Sequence, residues 1–260
     1  MAGGHVEGRV GGVGHLVVHG HSPVHRLAPE AKVVATFAFV ICVALTPREQ
    51  IWAFGVHAAV AISIVALAGV PTRVLLARLA VIIPFLTFAV LVPFVAGGEE
   101  VDVLGVGLSR DGLWGAWNVA AKASIGATAS IILSATTSVP EILKALTRLR
   151  VPRVLVSIMS FMMRYLDLLV DQLGRMRTSM TARCHDPRWL WQAKPIASSA
   201  GALFVRSYER GERVHQAMLS RGFSGTMPDT EERATPGADW VRAALPPVVA
   251  LAALLSAVVL

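Results

Sequence analysis

Five apolar stretches close to the length of a bilayer constrain this chain more than any other feature. They run from about Ala31 to Leu45, Ile51 to Val70, Val74 to Val95, Leu113 to Ser134, and residue 243 to Leu260. A helix needs ~20 predominantly apolar residues to cross the hydrocarbon layer, so the pattern predicts an all-α, polytopic membrane protein with about five transmembrane helices. Composition agrees: 54% of the residues are hydrophobic before the 22 Gly are counted, only 16% are charged, and the mean hydropathy is +0.60. The first two segments, separated by Thr46-Pro47-Arg48-Glu49, read as a helical hairpin. The third carries Pro84 and Pro93, where kinks are expected. On the fourth, Ala116, Ala120, Ala123, Ala127 and Ser130 recur at helical spacing and are expected to permit close helix contact.

The formal charge of +7 is unevenly placed. Between Thr136 and Arg242 fall sixteen of the 24 Lys and Arg residues, whereas the loop before the fourth segment holds Glu99, Glu100, Asp102 and Asp111 against Arg110 alone. The positive-inside rule puts the basic arm in the cytoplasm and the acidic loop outside. Arg9, Arg26 and Lys32 place the N-terminal segment inside as well, and Arg73 and Arg78 do the same for the second-to-third connection. The expected organisation is a cytoplasmic segment over 1–30, four spans over 31–135, a cytoplasmic helical region over 136–242 and a last span over 243–260. Long apolar segments rather than interleaved aromatic and basic residues accompany the charge, which argues against nucleic acid and for the lipid bilayer as partner. Residues 154–163 are apolar apart from serines, but Arg153, Arg164, Asp167 and Asp171 bound the run. Its length suits a buried or interfacial helix rather than a span.

The arm reads as three helices, over Pro140 to Leu149, Pro152 to Arg183 and Pro195 to Arg221, each opened by proline, whose missing N–H costs little there. In the third, Leu203, Phe204, Ser207, Tyr208, Gly211, Val214, His215 and Met218 make one face, with charged residues largely opposite. That face packs on its own bundle or docks a partner. Both long helices end in a small residue, Arg and a small or turn-forming residue: Ala182-Arg183-Cys184, and Ser220-Arg221-Gly222. Each arginine either complements its helix dipole, worth ~0.3–1 kcal/mol, or reaches a partner.

Lys122 lies near the middle of the fourth span, where an unpaired ammonium costs at least ~2.5–3.5 kcal/mol. A polar contact to a carbonyl or carboxylate inside the bundle is expected. His5, His15, His19, His21 and His25 crowd a Gly-rich N-terminus at irregular spacing and read as a flexible tail, so no metal ligand is assigned. Cys42 and Cys184 form no disulfide framework, and the first 25 residues lack the apolar core of a cleavable signal peptide.

Three passages, SPVHRLAPEAK, TTSVPEILKALTRLRVPRVLVSIMSFMMRYLDLLVDQLGRMRTSMTAR and ERGERVHQAMLSRGFSG, resemble the transmembrane T component of energy-coupling factor importers, the EcfT/CbiQ family, particularly its cobalt-type members. The resemblance covers nearly the whole chain. It implies a coupling subunit of a prokaryotic cell membrane that joins two ATP-binding-cassette ATPases to a small substrate-binding membrane subunit. No cofactor would be bound by this chain, and ATP would be hydrolysed by the partner subunits. The family's two Ala-Arg-Gly motifs fall on Ala182-Arg183-Cys184 and Ser220-Arg221-Gly222, with Cys184 for Gly and Ser220 for Ala as departures. The resemblance implies that these six residues make the ATPase coupling site, and that the cargo is cobalt, another transition metal or a vitamin.

A conventional importer permease with its own substrate path is the competing reading, although its usual Glu-Ala-Ala docking pattern with a spaced Gly is not evident. An enzyme is not expected: the spans contain no HExxH, no paired carboxylates and no nucleophile constellation.

Overall fold

The computed structural model describes residues 22–97, 100–103, 106–184, 194–225 and 237–259. Ten helices and one hairpin follow in order: α1 (Pro23–Arg26), α2 (Pro29–Leu45), α3 (Ile51–Ala68), α4 (Thr72–Leu79), α5 (Ile83–Val95), β1 (Glu100–Val103), β2 (Val106–Ser109), α6 (Arg110–Thr136), α7 (Val139–Arg148), α8 (Arg153–Ala182), α9 (Lys194–Leu219) and α10 (Gly237–Val259). Among the described residues these form two compact units, one drawn from 16–145 and 233–260, the other from 146–232.

In the first unit, four helical stretches are long and apolar enough to cross a membrane: Ile51–Ala68, Thr72–Val95, Arg110–Thr136 and Gly237–Val258. With its 17 residues, α2 sits at the lower end of the ~17–25 that suffice. The chain is thus a polytopic helical membrane protein, as its apolar segments predict. The third span is continuous but breaks its pattern at a single 3-10 turn, Ala80–Ile82. Pro84 follows that turn within the first two positions of α5, where its missing N–H and fixed φ are tolerated, so the helix changes geometry just ahead of it. The acidic loop is more ordered than its glycines suggest. Glu100 pairs with Ser109 and Val103 with Val106 in a two-stranded antiparallel hairpin, fitting the alternation of Val101 and Val103 around Asp102.

The core of this unit joins Phe39, Cys42 and Val43 of α2, Phe54 and Ala61 of α3, Ile125 and Ala129 of α6, and Ala250 and Leu254 of α10. Lipid tails are as apolar as leucine, so close packing and internal polar contacts hold such a bundle rather than water exclusion. Fully buried Ala53, Ala135 and Ala250 let backbones approach. Outward, α5 shows Phe85, Phe88, Leu91 and Phe94, each more than half exposed. In water this surface would drive aggregation; in a bilayer it is solvated.

On α6 two opposite sides pack against other helices. The core face carries Ala121, Ile125, Ala129 and Ile132, whereas Ala116, Ala120, Ala123 and Ala127 are half-buried and Ser130 exposed, on the opposite side of the helix. That second side also carries Gly112, four residues before Ala116, and there α5 comes closest: an added Cβ would stand 2.6 Å from the Cα of Pro93.

Two buried side chains, His57 and Lys32, reach partners on other elements. His57 is fully buried, its ring edge-on to Phe39 and Phe54. Thr46 Oγ1 donates to the Cys42 carbonyl at 2.8 Å and lies 3.0 Å from His57 Nε2. Its single proton being spent, the hydroxyl accepts from His57, which fixes the Nε2–H tautomer. Lys32, also buried, donates to the carbonyls of Thr136 at 3.0 Å and His25 at 3.3 Å.

Candidate functional site

The second unit is built on α8 and α9. Leu, Met and Arg supply fourteen of the 30 residues of α8 and favour its helix. Apolar residues 154–163 lie within it; Val156 is buried, whereas Val154, Leu155, Ile158 and Met162 are more than half exposed. The two helices pack across a cavity of about 380 Å³, lined from α8 by Phe161, Tyr165 and Leu168 and from α9 by Gly211, Val214 and Met218. The apolar face expected on α9 is therefore split. Ser207, Gly211, Val214 and Met218 turn toward α8, while Phe204 and Tyr208 stand 70% and 62% exposed.

The two arginine clusters occupy the same place on their helices. At the end of α9, Gly222 is left-handed at φ 82°, its N–H bonds the Leu219 carbonyl at 3.0 Å, and the Phe223 N–H bonds the Met218 carbonyl at 3.0 Å. This double closure satisfies carbonyls the helix leaves orphaned and makes Arg221 the residue just before the reversal. At the end of α8, Cys184 is left-handed at φ 58°, and its N–H bonds the Thr181 carbonyl at 2.9 Å. Arg183 N–H is shared between Ser179 at 3.3 Å and Met180 at 3.1 Å. Thus Arg183 stands before its reversal as Arg221 does before its own. All six residues, Ala182, Arg183, Cys184, Ser220, Arg221 and Gly222, are exposed, and among the described residues neither guanidinium is in a salt bridge. A left-handed conformation costs a side-chain-bearing residue roughly 1–2 kcal/mol that glycine avoids, so Cys184 holds its turn with strain where Gly222 does not.

A third closure of this kind was not anticipated from the sequence. After α7, Arg150 is left-handed at φ 61°, with Arg150 N–H to Thr147 at 3.2 Å and Val151 N–H to Leu146 at 3.1 Å. The available signal was Pro152, a residue type common just past such caps. Here the arginine is itself the reversing residue, which distinguishes it from Arg183 and Arg221.

Lys122, on α6 in the first unit, donates from Nζ to the Ala44 carbonyl at 2.7 Å. No group of three His, Cys, Asp or Glu side chains converges on a common point among the described residues. His5, His15, His19 and His21 lie outside them.

A polytopic helical bundle with a second helical unit whose paired helices end in exposed arginines defines an α-helical membrane protein. The chain belongs to the CbiQ family, described as cobalt transport protein, whose family model matches residues 20–232. Among its relatives, an uncharacterised protein of Methanocaldococcus jannaschii is 25% identical over 78% of this chain and 72% of its own length. The energy-coupling factor transporter transmembrane protein EcfT of Thermosediminibacter oceani is 24% identical over 80% of this chain and 83% of its own. The cobalt transport protein CbiQ of Rhodobacter capsulatus is 29% identical over 62% of this chain and 64% of its own. The chain is therefore a membrane component of a transport system.

Proposed function

We propose that this chain is the transmembrane coupling subunit of an energy-coupling factor importer in a prokaryotic cell membrane, taking up cobalt, another transition metal or a vitamin. The observation that carries the reading is the matched placement of Arg183 and Arg221, each exposed and each the last residue before a left-handed reversal. A guanidinium held at a helix end presents a rigid fork suited to a bidentate carboxylate pair, and the exposed small residues Ala182 and Ser220 let a partner's backbone approach. Two such ends suit two ATPase subunits, one per arginine. Close-packed helix pairs resist relative motion, so the cavity between α8 and α9 leaves room for the two helices to shift as the ATPases close and open. That motion would tilt or release a small substrate-binding membrane subunit. ATP is hydrolysed by the partners, and this chain supplies no covalent chemistry. The names EcfT and CbiQ carried by its relatives support the same assignment.

The test is ATPase retention and uptake in Arg183→Ala, Arg221→Ala and the double variant at matched membrane levels. Stranding an acidic partner group should cost roughly 2–5 kcal/mol of docking energy per arginine, and Arg→Lys should weaken docking as well. A helix-dipole role alone predicts at most ~1 kcal/mol and near-normal assembly. Normal uptake and ATPase retention in the double variant would overturn the coupling role.

A further inference from the structure

A second cavity, of about 520 Å³, opens in the membrane unit between α1, α2, α3, α6 and α10. Its composition is sharply divided. Arg26, Lys32 and Arg242 contribute to its lining, the deeper wall is apolar, with Phe39, Ile64 and Ile132, and no carboxylate lines it among the described residues. Arg26 and Arg242 are exposed, and neither makes an ion pair or a side-chain hydrogen bond among the described residues. Two helices give the depth. From Lys32 to Phe39 on α2, and from Thr136 back to Ala129 on α6, the lining descends seven residues, which at 1.5 Å per residue is roughly 10 Å below the charged end. Leu67 and Leu245, 60% and 61% exposed, also line the groove and leave it open to the surrounding lipid.

We infer that this groove is a binding site for an anionic phospholipid of the cytoplasmic leaflet, its phosphate held by Arg26 and Arg242 and the upper part of one acyl chain laid along Phe39, Ile64 and Ile132. Unneutralised cations above an apolar trough match a molecule that is anionic at one end and hydrocarbon at the other. Neither a free phosphate nor an uncharged lipid uses both halves. The leaflet follows from the positive-inside orientation, which puts the Arg26 and Arg242 end on the side where basic pockets between helices meet anionic headgroups. The inference does not depend on the arginines of α8 and α9. It concerns an attachment of the bundle to its membrane, independent of which cargo is carried.

The experiment reads bound lipid on the purified full-length chain, comparing phosphatidylglycerol with phosphatidylcholine of the same acyl chains in mixed nanodiscs and in native mass spectrometry. The wild type should prefer phosphatidylglycerol, and Arg26→Gln/Arg242→Gln should reduce that preference roughly tenfold or more, each charge counting independently near a membrane surface. Arg26→Lys/Arg242→Lys should keep it. Ala35→Phe, which leaves every charge in place but fills the groove, should lose it, and this pair decides the matter if the Gln variant fails to fold. Equal binding of both lipids by the wild type, unchanged binding by the Gln variant or by Ala35→Phe, or full displacement by millimolar inorganic phosphate would each overturn the assignment.

Discussion

Lys32 and Lys122 each close the other's helix. Lys32, in the first turn of α2, donates to Thr136 at the C-terminus of α6, and Lys122, on α6, donates to Ala44 near the C-terminus of α2. The last four carbonyls of a helix lack partners within it, a serious cost where water is scarce. On α2 three of them are accounted for: Cys42 accepts from the Thr46 hydroxyl, Val43 from the Thr46 N–H and Ala44 from Lys122. An ammonium at each C-terminus also complements the helix dipole. The exchange requires the two helices to run antiparallel and fixes their relative height.

The two lysines should respond differently to removal. Lys32 is buried and serves two carbonyls, so Lys32→Met should lower unfolding stability in detergent by ~1–3 kcal/mol, the cost of stranded buried acceptors. Lys122→Met should change it by less than ~1 kcal/mol, because losing the cap is offset by relief of the ~2.5–3.5 kcal/mol that a mid-span lysine costs. Denaturant titration of both variants checks the ranking; a Lys122 effect larger than that of Lys32 would contradict it.

Two glycines of α6 should part company on conversion to alanine. At Gly112 a Cβ would meet backbone and side-chain atoms of Pro93 and Ala96 at 2.6 and 3.1 Å, so Gly112→Ala should force α5 and α6 apart and cost ~1–3 kcal/mol. At Gly126 nothing lies within 4 Å, so Gly126→Ala should be neutral or stabilising by up to ~1 kcal/mol. Thermal unfolding of the pair, measured by circular dichroism in detergent, separates the two.

The left-handed residues after Arg183 and Arg221 offer a test that leaves both arginines untouched. Cys184→Gly should relieve strain and stabilise the end of α8 by ~1 kcal/mol, whereas Gly222→Val should destabilise the end of α9 by ~1–2 kcal/mol. Amide hydrogen exchange over Met180 to Cys184 and Met218 to Phe223 reports each change locally. If the arginines act through the cap geometry, Gly222→Val should also weaken ATPase retention while Cys184→Gly preserves it.

Much of this architecture was legible in the residues. Apolar length named the membrane helices, Pro84 marked the interruption of the third span, and Cys184 and Gly222 stood at the reversals that close α8 and α9. These are local properties, because span length, proline geometry and left-handed caps depend on neighbours along the chain. Tertiary structure alone decided that α6 turns Ile125 and Ala129 toward α2, α3 and α10 and the opposite side, with Gly112, toward α5, and that Phe204 and Tyr208 stay exposed while Val214 and Met218 turn inward. It also decided that Lys122 meets Ala44, 78 residues away, and Lys32 meets Thr136, 104 residues away. A mid-span lysine announces that it needs an acceptor, but in a bundle of helices every exposed carbonyl is a candidate. Only the height and direction at which two helices pack select one.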